Sequence, residues 1–351
     1  MESERIASGP RELLRAERVV RRPLPLNVRD GEIGLFSREL ERVIPPATLQ
    51  ELRAVRISAD GLLFKRFRLL PESFAFPALK DQLTARTRAK LLAINFALRR
   101  HRTFEKRGVW ITDTWSAGYF HWLTDALSRL YLIRERAAES VLVLPQPYRS
   151  LEYAHASLEA FNLGAVEFID GDEVLLCRKL MLPGHAAPSG HYDEEVIRGI
   201  RTVLVGRFGT PPPQSATRRI YVSRALARKR RIANEAAVID ALGAREFHIV
   251  HSERLTLRDQ VRLCSTADVL VSNHGAGLTN MLFMPEGAKI LELRHHQDAV
   301  NNCYFTLAAA LRLPYFFQGC VPVDPIADPH QADVLVDVDR LNGNLDLMLR
   351  R

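Results

Sequence analysis

From residue 218 onward the chain repeats one pattern: a short apolar run, then a stretch of helical period. The runs are RIYVSR, FHIVHSE, DVLVSN and AKILELR. A strand with one face in water alternates apolar and polar residues, whereas a nearly unbroken run must be covered on both faces. Such runs, spaced by NEAAVIDALGA and LTLRDQVRLCSTA, predict a parallel sheet with helices on either side. Asn234 is the expected N-cap of the first of these helices. The fold class is therefore α/β, and residues 218–325 read as one doubly wound domain. In such sheets ligands bind beyond the carboxyl ends of the strands. That rule directs attention to the ends of RIYVSR and DVLVSN.

Residues 1–208 read as a second, N-terminal domain. Residues 1–50 carry no usable pattern, and Pro45-Pro46 interrupts any long element. AVRISADGLLFKRFRLL predicts two strands around an Asp60-Gly61 turn. RGVWITD and SVLVLPQ read as strands, YFHWLTDALSRLYLIRE and DEEVIRGIRTVLVGRFG as helices, and VEFIDGDEVLLCRKLMLP as two strands about an Asp-Gly turn. Three consecutive prolines in residues 209–217 mark a linker. Residues 326–351 predict a strand and a closing helix that returns to the N-terminal domain. Two βα domains joined this way suggest a cleft between them.

Composition narrows the chemistry. The 351 residues are 47% hydrophobic and 26% charged, which excludes global disorder. The cysteines (Cys177, Cys264, Cys303 and Cys320) form no C-x-x-C pair, so neither a zinc ribbon nor a disulfide framework is expected. The first residues lack the apolar core of a secretory signal, and no run is long enough to span a bilayer. The formal net charge is +8, from 49 basic and 41 acidic residues. Seven of the basic residues fall within 218–231 without one acid, leaving 42 against 41 elsewhere. The excess is gathered at one strand end, where it suits a compact anion better than a long polyanion.

Four groups of residues could carry chemistry. Asn273-His274-Gly275-Ala276-Gly277-Leu278-Thr279-Asn280 joins a strand to a helix start, where glycines permit close approach and unpaired N–H groups attract anions. The bland reading is a tight turn. In the basic segment, Ser223 and Arg224 end the strand, and Arg228, Arg230 and Arg231 follow; arginine grips phosphate through two parallel hydrogen bonds. Most of this segment reads equally as a solvated loop. His121 and Asp125, four apart on one helical face, fit a general base and its orienting carboxylate, or a purely structural pair. Asp113, at a strand end, is the reserve base. Asp170-Gly171-Asp172 and Asp337-Val338-Asp339 have the spacing of metal-binding carboxylates, but turn chemistry and a solvated strand face explain them, so no metal site is expected. Glu292 and His295-His296 lie at or near the end of AKILELR, with Glu292 an ion-pairing or ligand-facing group.

In order, these motifs resemble glycosyltransferase family 61. HGAGLTNMLFMPEGAKILEL, YVSRALARKRRIANE, LRDQVRLCSTADVLVSNHGAG and GYFHWLTDALSRL carry the resemblance, which runs from about residue 107 to 295 and includes the acidic tail. It implies an inverting transferase of GT-B architecture, with two Rossmann-like domains facing a central cleft. A nucleotide-sugar donor, usually UDP-linked, would sit on the C-terminal domain against the 223–231 and 273–280 segments and Glu292. The acceptor, a glycan or lipid-linked hydroxyl, would enter from the N-terminal side. No metal or other cofactor is implied. The chain is similar to bacterial members assigned to capsule and exopolysaccharide synthesis, which implies a cytoplasmic protein with room for peripheral contact at the membrane. His121 would take the acceptor proton with Asp125 as orienter. Rival readings are a nucleic-acid or other polyanion binder, a nucleotide-sugar epimerase or hydrolase, and a non-catalytic scaffold. Nucleic acid is disfavoured because the basic segment holds one aromatic, Tyr221, inside a strand.

Overall fold

The computed structural model describes residues 11–211 and 218–350. The chain divides into two compact units, one of residues 1–18 and 45–189 and another of residues 19–44 and 190–351. The division does not fall at the proline-rich stretch, of which residues 212–217 lie outside the described residues. The helix Glu194–Phe208 belongs to the second unit. It buries Val196, Ile197, Ile200, Leu204 and Phe208, a spacing that makes one continuous apolar stripe. That stripe packs on the helices Leu257–Cys264, Ala276–Phe283 and Cys303–Leu311.

In the first unit an eight-stranded mixed sheet is centred on Glu173–Pro183. Arg100–Val109 lies parallel to it on one side, followed by Val141–Pro145 and Ala165–Ile169. Ala47–Ser58 runs antiparallel on its other side and pairs with Leu63–Lys65 across the expected Asp60-Gly61 turn. Gly61 has φ +82, which is why glycine occupies that position. Only half of this sheet therefore has the parallel character expected of a Rossmann-like domain. The strands flanking Asp170-Gly171-Asp172 do not form a hairpin: Ala165–Ile169 lies at the sheet edge, and Glu173–Pro183 crosses to the centre. Val55, Ile57, Trp110, Val143, Ile169, Leu175 and Cys177 form one buried cluster.

The second unit holds a six-stranded sheet in the order Phe247–Val250, Arg218–Val222, Ala267–Asn273, Lys289–His295, Tyr315–Pro322, Val334–Leu335. All neighbours are parallel except the last pair. The tail helix Val338–Leu349 packs in this unit, and the part of residues 1–208 that it meets is the segment 19–44 of the same unit: Asn27 donates to Asn344 Oδ1 at 2.9 Å and Arg340 donates to Glu32 at 2.6 Å. Its Leu341, Leu345 and Met348 share a buried cluster with Tyr221, Val238, Val271 and Leu293. Asn234 is not a side-chain cap of Glu235–Gly243. Its amide instead bonds both the N–H and the carbonyl of Val336, at 3.0 and 2.8 Å, pinning the tail strand. Residues 19–44 add the buried Phe36 to this unit, apart from that cluster; its ring meets Phe317 at 4.8 Å and Phe305 at 5.0 Å.

Candidate active site

The order of the second sheet reverses direction between Arg218–Val222 and Ala267–Asn273. Connections leave these two strands toward opposite sides, so a crevice opens beyond their carboxyl ends. The residues standing there are Ser223-Arg224 and Asn273-His274-Gly275.

Gly275 is buried, and its lack of a side chain is used. A Cβ there would lie 2.0 Å from Arg224 Nη1 and 2.5 Å from its central carbon. Arg224 Nε and Nη2 donate to the carbonyls of Arg230 and Lys229, each at 3.1 Å, and Asn273 Nδ2 donates to the Arg230 carbonyl at 2.8 Å. The basic loop is thus folded back over the glycine, with Arg230 at φ +57. Arg224 Nη1 takes no hydrogen bond among the described residues, and the buried Arg230 Nε has none. Burial, then repulsion from Arg230, lowers the pKa of Arg224. Two guanidiniums without an acid partner among the described residues, beside a helix start whose first N–H groups have no intrahelical acceptor, form a site with a charge to be filled. Gly277 serves packing, since a Cβ there would lie 2.6 Å from Val222 Cγ1.

Behind the loop lies a buried network. His274 Nδ1 donates to Glu292 Oε1, Tyr315 Oη donates to Glu292 Oε2, and Arg294 stands 4.0 Å from that oxygen. Asn301 Nδ2 donates to His274 Nε2 at 3.0 Å. Burial lowers the pKa of His274 despite the neighbouring carboxylate. Glu292, although desolvated, is held below its usual value by Arg294 and His274. The histidine is therefore neutral and the glutamate charged, with both imidazole nitrogens occupied. Arg294 also donates to Asn302 Oδ1 at 2.8 Å and the Asp298 carbonyl at 2.6 Å, and its guanidinium lies 5.4 Å from the Phe36 ring centre.

In the first unit, the helix after the loop that follows Arg100–Val109 begins at Tyr119 and widens into a π-turn over Trp122–Ala126. Such turns often occur at functional sites. His121 Nδ1 donates to Asp125 Oδ2 at 2.8 Å, and Ser189 Oγ donates to the same oxygen at 2.7 Å. Asp125 is buried, whereas the His121 side chain is 25% exposed and its Nε2 has no hydrogen-bond partner among the described residues. Trp115 and Phe120 flank the imidazole at 5.1 and 5.0 Å. The fully buried Trp122 anchors the helix by donating to Ser157 Oγ at 2.8 Å.

Asp113 is a poor base. Burial alone would raise its pKa, but His185 at 3.4 Å, Arg129 at 4.0 Å and the Trp115 amide lower it to about 2. Arg129 joins the surrounding loops, donating to the Pro183 and Thr112 carbonyls at 2.8 and 3.3 Å. Neither Asp-x-Asp is a free carboxylate pair: Asp170 pairs with Arg149 at 3.1 Å and Asp172 with Arg100 at 2.7 Å, and Asp337 caps the tail helix by accepting from the Arg340 amide.

A family model described as Glycosyltransferase 61 matches residues 119–291. The chain carries a glycosyltransferase family 61 domain. Over 118 residues the chain is 38% identical to the EGF domain-specific O-linked N-acetylglucosamine transferase of Drosophila melanogaster, covering 32% of this chain and 22% of that protein. Over 101 residues it is 38% identical to the Protein O-linked-mannose beta-1,4-N-acetylglucosaminyltransferase 2 of Xenopus tropicalis, covering 28% and 17%. The human protein of the latter name is 46% identical over 81 residues, covering 22% and 13%. The chain thus matches about a fifth of these relatives' length or less.

Within the family 61 domain, the structure gathers Arg224, Arg230, Asn273, Gly275, Ala276 and Gly277 at the switch point. Other candidates turn inward. Ser223 donates to Glu235 Oε1 at 2.7 Å, and Asn280 donates to Gln260 Oε1 at 2.7 Å. Leu278 and Thr279 are fully buried. Glu292 is also fully buried, so it acts on the crevice only through His274. Arg231 is engaged by Asp333 at 2.9 Å, and Arg228 is an exposed loop residue. Ser189, Arg129, His185, Asn301, Arg294 and Phe36 were not foreseen. Phe36, Arg294 and Asn301 stand outside the family match. Arg129, in the middle of an apolar helical stripe, was the one local signal available.

Proposed function

We propose that the chain is an inverting glycosyltransferase that moves a sugar from a nucleotide-diphosphate donor, UDP-linked, to a hydroxyl of a glycan or lipid-linked acceptor. The reading rests on one observation: among the described residues Arg224 and Arg230 stand without an acid partner beside the helix that starts at Ala276, inside a family 61 domain. In this reading the two guanidiniums and the first helix amides hold the diphosphate. As the bond between the anomeric carbon and the phosphate oxygen breaks, they stabilise the charge developing on the leaving group. This task is often given to a metal ion, and here the protein's own cations perform it. His121 Nε2 takes the proton of the attacking hydroxyl while Asp125, fixed by Ser189, holds the imidazole and balances its charge. The GT-B assignment belongs to the same proposal, with the second unit as the donor half and the first as the acceptor half. Among the described residues no helix is long and apolar enough to cross a membrane. A role in bacterial polysaccharide synthesis, in the cytoplasm, is the setting proposed for this activity.

The names of the relatives put N-acetylglucosaminyl donors first among those to test. Thermal unfolding with UDP, UDP-N-acetylglucosamine, other UDP-sugars and GDP-sugars should show stabilisation by UDP compounds in wild type. Arg224→Ala should lose it, with EDTA leaving wild type unchanged. Stabilisation by no nucleotide, or an Arg224→Ala response equal to wild type, would overturn the donor assignment.

A further inference from the structure

The sheet of the first unit carries a second concentration of positive charge. Lys179, on the central strand, is in register with Arg53 on one neighbouring strand and with Arg107 on the other. Three exposed cations therefore stand in one row. Adjacent strands are about 4.8 Å apart, so the row spans roughly 10 Å. Like charges placed directly opposite destabilise a sheet. Nearby acids relieve this only in part. Glu51 pairs with Arg107 at 3.2 Å, and Glu12 is taken by both terminal nitrogens of Arg136, at 2.6 and 2.7 Å. Arg53 and Lys179 have no acid partner among the described residues.

The backbone is irregular at the same place. The register between Glu173–Pro183 and Arg100–Val109 shifts between Cys177 and Lys179, and Ala54, next to Arg53, has φ +53. A bulge re-aims side chains, and a left-handed alanine costs stability unless the surroundings enforce it. The re-aimed residues line a pocket of about 210 Å³ whose wall also includes Leu52, Leu180, Met181 and Glu51, the last engaged by Arg107. Repelling charges, local strain and a pocket thus coincide.

We propose that this pocket is an anion-binding site that takes a carboxylate or phosphate group carried on a saccharide, with Arg53 and Lys179 as the principal contacts and Arg107, oriented by Glu51, as the third. That the anion is carried on a saccharide rests on the transferase reading above. The anion site itself stands on the geometry of the row.

Titration calorimetry of the full chain with glucuronate, glucose, inorganic phosphate and vesicles of phosphatidylglycerol or phosphatidylcholine tests it. Glucuronate and phosphate should bind and glucose should not. The double variant Arg53→Gln, Lys179→Gln should weaken both by at least tenfold while UDP binding stays as in wild type. Without anion the double variant should melt at a higher temperature than wild type, because the repulsion is gone. The proposal is overturned if neither anion binds wild type, if the double variant binds them equally well, or if it melts lower. Binding only to phosphatidylglycerol vesicles overturns the saccharide assignment in favour of a lipid headgroup. Loss of UDP binding in wild type would sink the transferase reading without touching the anion result.

Discussion

Two histidines in this chain sit beside carboxylates, and they live under opposite conditions. His274 is buried, neutral and bonded at both ring nitrogens, by Glu292 and Asn301. His121 is bonded at Nδ1 by Asp125, keeps Nε2 unbonded and is a quarter exposed. The pairing is the same, yet only the second leaves a nitrogen that can move a proton to or from a substrate. The first fixes a loop. A histidine–carboxylate pair thus becomes a base or a brace according to what its other nitrogen meets.

The comparison breaks most sharply at Glu292. Glu292→Ala removes one of the two carboxylates facing the buried Arg294, leaving Asp298 at 3.8 Å, and strips His274 and Tyr315 of their acceptor, a loss of about 3 kcal/mol. Asp125→Ala, beside a partly exposed histidine, should cost much less. Urea unfolding of both variants measures the difference. Equal losses would mean that the two pairs are alike.

The glycines separate function from packing in the same loop. Gly275→Ala displaces the end of a flexible arginine, so UDP affinity should fall by about tenfold or more, the worth of a charge-assisted contact, with little change in stability. Gly277→Ala presses on the β-branched Val222 and should destabilise by about 1–3 kcal/mol. The reverse pattern would place the ligand elsewhere.

Acid should distinguish the two units. In the second, burial and then Arg42 and Arg22 lower the pKa of His191 from 6.5 to about 4, and burial lowers that of His274. Below pH 6.5 the unfolded chain therefore binds protons that the folded unit refuses. Stability from His191 is complete above that pH and is lost as pH falls toward 4, and His274 acts in the same direction. In the first unit, Asp113 contributes stability above 3.8 that is lost only as pH falls toward 2. Trp110, Trp115 and Trp122 all lie in the first unit. On acidification, far-UV circular dichroism should therefore change before tryptophan fluorescence. Coincident curves, or fluorescence first, would contradict this.

The sequence made the parallel sheet of the second unit legible because each strand announced itself locally, as VLVS and KILEL do. It also located the switch-point loop and the His121–Asp125 pair, both short-range patterns. What it hid was long-range. Phe36 enters the second unit from a segment without readable period, and the tail helix joins the cluster around Tyr221 and Leu293 through Leu341, Leu345 and Met348. Arg231 looked like an anion ligand until Asp333, far along the chain, was seen to hold it. Asp113 looked basic until His185 and Arg129 closed around it. Glu292 reads from sequence as an ion-pairing or ligand-facing group, and its burial beside Tyr315 and Arg294 depends on the fold around them.

The most direct test of a working pair against a bracing pair is His121→Ala, assayed for UDP affinity by calorimetry and for sugar transfer from the donor that stabilises wild type. The account predicts UDP affinity within about twofold of wild type and transfer reduced by about 10²–10⁴, the range for loss of a general base. Undiminished transfer by His121→Ala, with the fold intact, would contradict it.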